Sequence, residues 1–147
     1  MSMQDTLPEM RADTQGAIQG WRVARGATIL ALAAYWVALF IGTHLPHTPQ
    51  ALAVTNDHLL HWLAYTGLAV LLCINLARDA RLSARQAVAI VLVLAIYGAL
   101  DEWSQIPVGR SCELADWLGD VAGAITGCAA VAALGSVFGR AADTPKR

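Results

Sequence analysis

Four long apolar runs, each closed off by charged residues, organise this chain. The first extends over about 26–43, from Gly26 to Thr43, between Arg25 and His44. The second covers about 58–77, between Asp57 and Arg78, and the last covers about 117–139, from Trp117 to Gly139, closed by Arg140. A bilayer core about 30 Å thick takes about 20 helical residues at about 1.5 Å each. These three runs have that length and predict membrane-spanning helices.

The third run is a misfit. Only 15 uncharged residues separate Arg85 from Asp101, roughly 22 Å of helix. The next natural stop is Pro107, because proline breaks a helix interior. A helix over about 86–106 reaches full length if Arg85 snorkels toward the surface, and it then carries Asp101, Glu102 and Gln105 inside the outer third of the membrane. The expected fold is all-α: a polytopic bundle of four transmembrane helices occupying residues 26–139.

Composition agrees. Of the 147 residues 56% are apolar and 14% charged, with mean hydropathy +0.49, whereas soluble domains carry about 25% charged residues. A net charge of −1 gives no electrostatic support to a nucleic-acid partner. Residues 1–25 are polar and mixed in charge, without the basic start and immediate apolar run of a signal peptide. They read as a flexible cytoplasmic tail, as do residues 140–147. Nine of the ten basic residues fall at the two ends and in the loop between the second and third runs (Arg11, Arg22, Arg25, Arg78, Arg81, Arg85, Arg140, Lys146, Arg147). The positive-inside rule places that side, with both termini, in the cytoplasm. Arg110 stands alone on the other side, where Trp62, Trp103 and Trp117 form an aromatic belt.

The remaining polar residues collect at that outer end. Asp57, His61 and Tyr65 recur every four residues and share a helix face. Asp101, Glu102 and Gln105 close the third span, while Asp116 and Asp120 open the fourth. Ionisable groups at membrane depth face a bundle interior or a wet cavity, so His61, Glu102, Asp120 and Arg110 are expected to converge on a cleft. Glu102 with Arg110 reads first as an ion pair fastening the outer loop. Gly119, Gly123 and Gly127 give a doubled small-xxx-small surface, which packs spans within the monomer or receives a partner. His44 and His47 read as plain loop residues. Cys73 and Cys128 read as buried small hydrophobes, and Cys112 as a free extracytoplasmic thiol. His61, Glu102, Asp116 and Asp120 are suitable metal-ligand types, but their spacing matches no metal signature. Neither a metal nor a cofactor is expected.

The stretch from Leu100 to Arg110 (LDEWSQIPVGR), followed by Leu114 to Gly123 (LADWLGDVAG) and Gly127, resembles the VanZ-like family. Asp57, His61 and Tyr65 stand at the spacings of that family's second-helix motif. The likeness covers roughly residues 27 to 138. The family's pattern has Asn at the position of Asp120, Lys at that of His58, and Pro-Gly-Arg where this chain reads Pro-Val-Gly-Arg. Asp in place of Asn adds a negative charge to the cleft. The resemblance implies a four-helix bacterial inner-membrane protein. It also implies a link to resistance against the glycopeptide antibiotic teicoplanin.

Three functions follow as expectations. In the first, Asp57, His61, Tyr65, Glu102, Gln105, Arg110, Asp116 and Asp120 line an outward-facing cleft that binds an envelope lipid or a lipid-associated glycopeptide and does no chemistry. In the second, the protein is a membrane hydrolase or transferase on a lipid-linked substrate, with His61 and Glu102 as acid and base. In the third it is a small structural subunit of a membrane complex.

Overall fold

The computed structural model describes the backbone of residues 3–45, 57–77 and 82–142 and the side chains of 23–45, 57–77 and 82–136. His47 and the side chains of Arg11, Arg22, Arg78, Arg81, Arg140, Lys146 and Arg147, which carry most of the orientation argument, lie outside the described residues.

Most of the described residues lie in four α-helices: α1 (Met3–Thr43), α2 (Asp57–Leu76), α3 (Ala84–Gln105) and α4 (Leu114–Ala142). All four are long and apolar enough to cross a membrane, over Val23–Thr43, Asp57–Leu76, Ala84–Val108 and Leu114–Ser136. α1 is already helical at Met3, and α4 stays helical to Ala142. The polar stretch expected as a tail thus continues α1, and α4 runs two residues beyond Arg140. Polarity marks where a membrane would end, not where helical hydrogen bonding ends.

Consecutive helices run antiparallel. α2 and α4 pack most extensively, α3 lies against α4, and α1 sits at the edge, touching α2 and slightly α3. The glycine surface of α4 makes this possible. A Cβ on Gly119 would lie 3.0 Å from the His58 carbonyl oxygen, and one on Gly127 would lie 2.6 Å from that of Thr66. A Cβ on Gly123 would collide with the Trp62 carbonyl oxygen. Bare backbone on α4 therefore meets bare backbone on α2, the packing that small residues permit in membranes. Thr66 Oγ1 reinforces it by donating to the Gly123 carbonyl at 3.2 Å, and Trp62 Nε1 donates to Thr126 Oγ1 at 3.2 Å. The glycine face is thus spent inside the monomer and is closed to a partner.

The core between the helices holds Tyr65, Leu68, Ala69 and Cys73 of α2, Ile90 and Leu94 of α3, and Ala124 and Cys128 of α4. Large apolar side chains face outward from every helix, among them Leu30, Leu63, Ile96 and Leu134. Such a surface suits lipid rather than water. The aromatic belt is less uniform than expected. Trp103 is exposed, whereas Trp117 turns its indole N–H to the Ala95 carbonyl on α3 at 2.9 Å.

α3 begins and ends where local chemistry dictates. Ser83 and Gln86 form a reciprocal capping box, and Gln86 Nε2 also donates to the Leu76 carbonyl at 2.9 Å, closing the end of α2. At its other end α3 runs past Asp101 and Glu102, as its length requires, and tightens into a 3-10 turn over Ile106–Val108 at Pro107. Gly109 then adopts a left-handed conformation (φ 80°), which costs glycine nothing. The chain reverses there, and Arg110 is set back toward α2.

Candidate functional site

Polar side chains from α2, α3 and α4 gather at the end of the bundle where α1 and α3 finish and α2 and α4 begin. Asp101, Glu102 and Gln105 of α3, His61 of α2, and Asp116 and Asp120 of α4 are all buried there. Gly98 makes this possible. A Cβ at Gly98 would sit 2.7 Å from Asp120 Oδ2, so the Asp120 carboxylate occupies the space that a larger residue on α3 would fill.

His61 is the hub. Its Nδ1 lies 2.9 Å from Asp120 Oδ1 and 3.8 Å from Glu102 Oε1, and its Nε2 lies 3.9 Å from Asp116 Oδ2. Gln105 Nε2 bridges the α3 carboxylates, donating to Glu102 Oε1 at 3.2 Å and to Asp101 Oδ2 at 3.3 Å. The Glu113 backbone N–H donates to Glu102 Oε2 at 3.0 Å. Asp116, in the first turn of α4 where the helix dipole favours a negative charge, pairs with His58. Among the described residues, four buried side-chain polar atoms have no hydrogen-bond partner: Tyr65 Oη, Tyr97 Oη, Asp101 Oδ1 and Asp120 Oδ2. The two tyrosine rings are neighbours, with centroids 6.1 Å apart.

Beside this cluster a cavity of about 260 Å³ lies between the end of α1 and the start of α2. Leu39, Leu60 and Ala64 supply an apolar wall, and Asp57, His61, Tyr65 and Arg110 the polar one. Asp57, His61 and Tyr65, spaced by four, share this face as expected.

The sequence reading pairs Arg110 with Glu102, and the structure corrects it. Arg110 Nη2 binds Asp57 Oδ2 at 3.0 Å, while Glu102 is held by Gln105 and the Glu113 amide. The expected convergence of His61, Glu102 and Asp120 is observed, with Asp116 and Gln105 in the same cluster. Arg110 and Asp57 stand apart from it, in the cavity wall. The hydrogen-bond partner of His61 is Asp120.

Three participants escape the sequence reading. His44 is no plain loop residue, since its Nε2 lies 2.9 Å from Ser104 Oγ and its Nδ1 3.9 Å from Asp101 Oδ1. Asp101 is as deeply buried as Glu102, and its spacing of four from Gln105 is the signal that could have placed it on the inner face. His58 lies beside Asp116 across the α2–α4 contact, which no spacing within α2 reveals.

Among protein-family models, curated proteins and solved structures, none matches this chain.

Proposed function

We propose that this is a multi-pass bacterial inner-membrane protein of the VanZ-like kind, with cytoplasmic termini. Its outward cavity binds the headgroup region of an envelope lipid, or of a lipid-associated glycopeptide of the teicoplanin type. The observation that carries this reading is the cavity itself: an apolar wall of Leu39, Leu60 and Ala64 facing Asp57, His61, Tyr65 and Arg110. An amphiphile needs both walls at one site, with chain carbons against the first and polar groups against the second. Arg110 supplies the fork that recognises a phosphate or carboxylate, and Asp57 keeps it in place. The fragments resembling the VanZ-like pattern supply its polar residues.

The acid/base reading is weaker. His61 Nδ1 and Glu102 Oε1 are 3.8 Å apart, beyond hydrogen-bond reach, and Glu102 is engaged by Gln105 and the Glu113 amide. The structural-subunit reading loses its expected contact surface, because α2 covers the glycine face of α4.

Native mass spectra of the protein released from mild detergent test the proposal. Wild type is expected to retain a lipid of defined mass. Leu60→Trp, which fills the cavity, and Arg110→Gln, which removes the fork, are expected to lose it while keeping the helical content of wild type. Equal retention by all three proteins would place the lipid on the outer surface of the bundle and sink the proposal.

A further inference from the structure

We propose that His61, Glu102 and Asp120 form a binding site for a divalent first-row transition ion of the zinc or manganese class. Three different helices each contribute one ligand, and one ligand atom from each residue lies within 4.8 Å of the other two. In a tetrahedral shell with bonds of about 2.0–2.2 Å, two ligand atoms stand about 3.3–3.6 Å apart. The separations of 2.9 Å from His61 Nδ1 to Asp120 Oδ1 and 3.8 Å to Glu102 Oε1 bracket that spacing, so side-chain shifts of a few tenths of an ångström bring the ligands to it.

A cluster of acids alone would be weak ground, and the second observation is the orphaned oxygen. Asp120 is completely buried, yet its Oδ2 has no hydrogen-bond partner. The Tyr65 hydroxyl is also buried and partnerless, and Tyr65 lines the cavity together with His61. A buried polar atom left unpaired costs about 1–3 kcal/mol, and more when charged. Four carboxylates lie buried at this end (Asp101, Glu102, Asp116 and Asp120), and three histidines face them: His44 beside Asp101, His58 beside Asp116, and His61 at the centre. Arg110 is turned to Asp57. A doubly charged ion among His61, Glu102 and Asp120 cancels both carboxylates and takes His61 in its neutral form, which is the form that ligates.

The surroundings are those of a ligand shell. Asp116 Oδ2 lies 3.9 Å from the other ring nitrogen of His61, a nearby carboxylate but beyond hydrogen-bond reach. Glu102 is oriented through both oxygens, by Gln105 and by the Glu113 N–H. The nitrogen ligand disfavours calcium and magnesium, which take oxygen. Three protein ligands leave one position of the ion open, and His61 borders the cavity, which supplies the entry path. The site stands whether or not the cavity takes an amphiphile.

The test uses the full-length protein in detergent, stripped with a chelator and titrated with Co²⁺, whose visible absorption reports its ligands. Expected are one equivalent per chain, a visible band, and displacement by Zn²⁺. Asp120→Asn and Glu102→Gln, close in shape to the native residues, are each expected to weaken binding by at least about tenfold. Glu113→Gln, which keeps the backbone N–H that holds Glu102, leaves it unchanged. Circular dichroism checks that each variant is folded, and the wild-type titration needs no variant. Absence of saturable binding by wild type overturns the proposal. So does binding that survives both carboxylate changes. Binding lost in Glu113→Gln would move the ion to the group of His58, Glu113 and Asp116, of which only Asp116 is buried, and overturn it equally.

Discussion

Gly98 and Asp120 compete for one space between α3 and α4. With hydrogen at Gly98 the carboxylate fits; an added Cβ would stand 2.7 Å from Asp120 Oδ2 and 3.3 Å from its Cβ. Gly98→Ala is therefore expected to destabilise the protein by about 1–3 kcal/mol, the usual cost of overpacking, even though alanine is the better helix former by up to about 1 kcal/mol. The same change in an Asp120→Ala background should be neutral or stabilising, because the obstacle is gone and only helix propensity remains. A double-mutant cycle in denaturant titration reads the coupling. A Gly98→Ala cost equal in both backgrounds would show that something other than Asp120 fills the space. The polar residues of this end were legible in the sequence as a set, because charge is rare enough at membrane depth to stand out. Their partners were not. The distances that join Arg110 to Asp57 rather than Glu102, and His44 to Ser104, depend on how each helix is rotated about its axis, and no spacing along one helix records that.

The helices themselves were far easier to read. In lipid every backbone group must be satisfied within the helix, so the length between charges almost determines the element, and Pro107 placed the end of α3 within a residue or two. The early start of α1 was illegible for the complementary reason: residues such as Met, Gln, Leu, Glu, Arg and Ala favour helix in water or in lipid alike. The spaced glycines of α4 announced a packing surface but not its occupant. Since α2 lies on it, the three positions should respond unlike glycines elsewhere. Gly123→Ala pushes a Cβ into the Trp62 carbonyl, and Gly127→Ala pushes one against the Thr66 carbonyl and the Ala69 Cβ. Backbone cannot step aside as a flexible side chain can. Each change is expected to cost about 1–3 kcal/mol or more. Gly42→Ala, with nothing within 4 Å, should be neutral or gain up to about 1 kcal/mol. Thermal unfolding in a fixed detergent measures all three. Equal responses at Gly123 and Gly42 would mean that α2 and α4 do not touch backbone to backbone.

At the scale of the whole molecule the bundle has two unlike ends. One holds the buried carboxylates, the cavity and Arg110; the other holds Arg25 and Arg85, near the start of the first and third spans. α1 has 41 residues, roughly 60 Å of helix, about twice the thickness of a bilayer core, so its first half extends beyond that second end. An excess of Lys and Arg on one side orients membrane proteins with that side in the cytoplasm, which under the proposed function turns the cavity outward. Cys112 decides the matter. It is exposed and lies between α3 and α4 at the cavity end, whereas Cys73 and Cys128 are buried in the core. A membrane-impermeant maleimide should label Cys112 in intact spheroplasts, and Cys112→Ser should abolish the labelling while Cys73→Ala with Cys128→Ala leaves it. Labelling that appears only after lysis would put the buried carboxylates and the cavity on the cytoplasmic side. The basic ends would then break the positive-inside rule, and an outer-leaflet lipid or an extracellular glycopeptide would have no route to Arg110. The ligand would have to come from the cytoplasm or the inner leaflet. The geometry of His61, Glu102 and Asp120 is the same in either orientation, so this experiment separates the direction the site faces from the chemistry it holds.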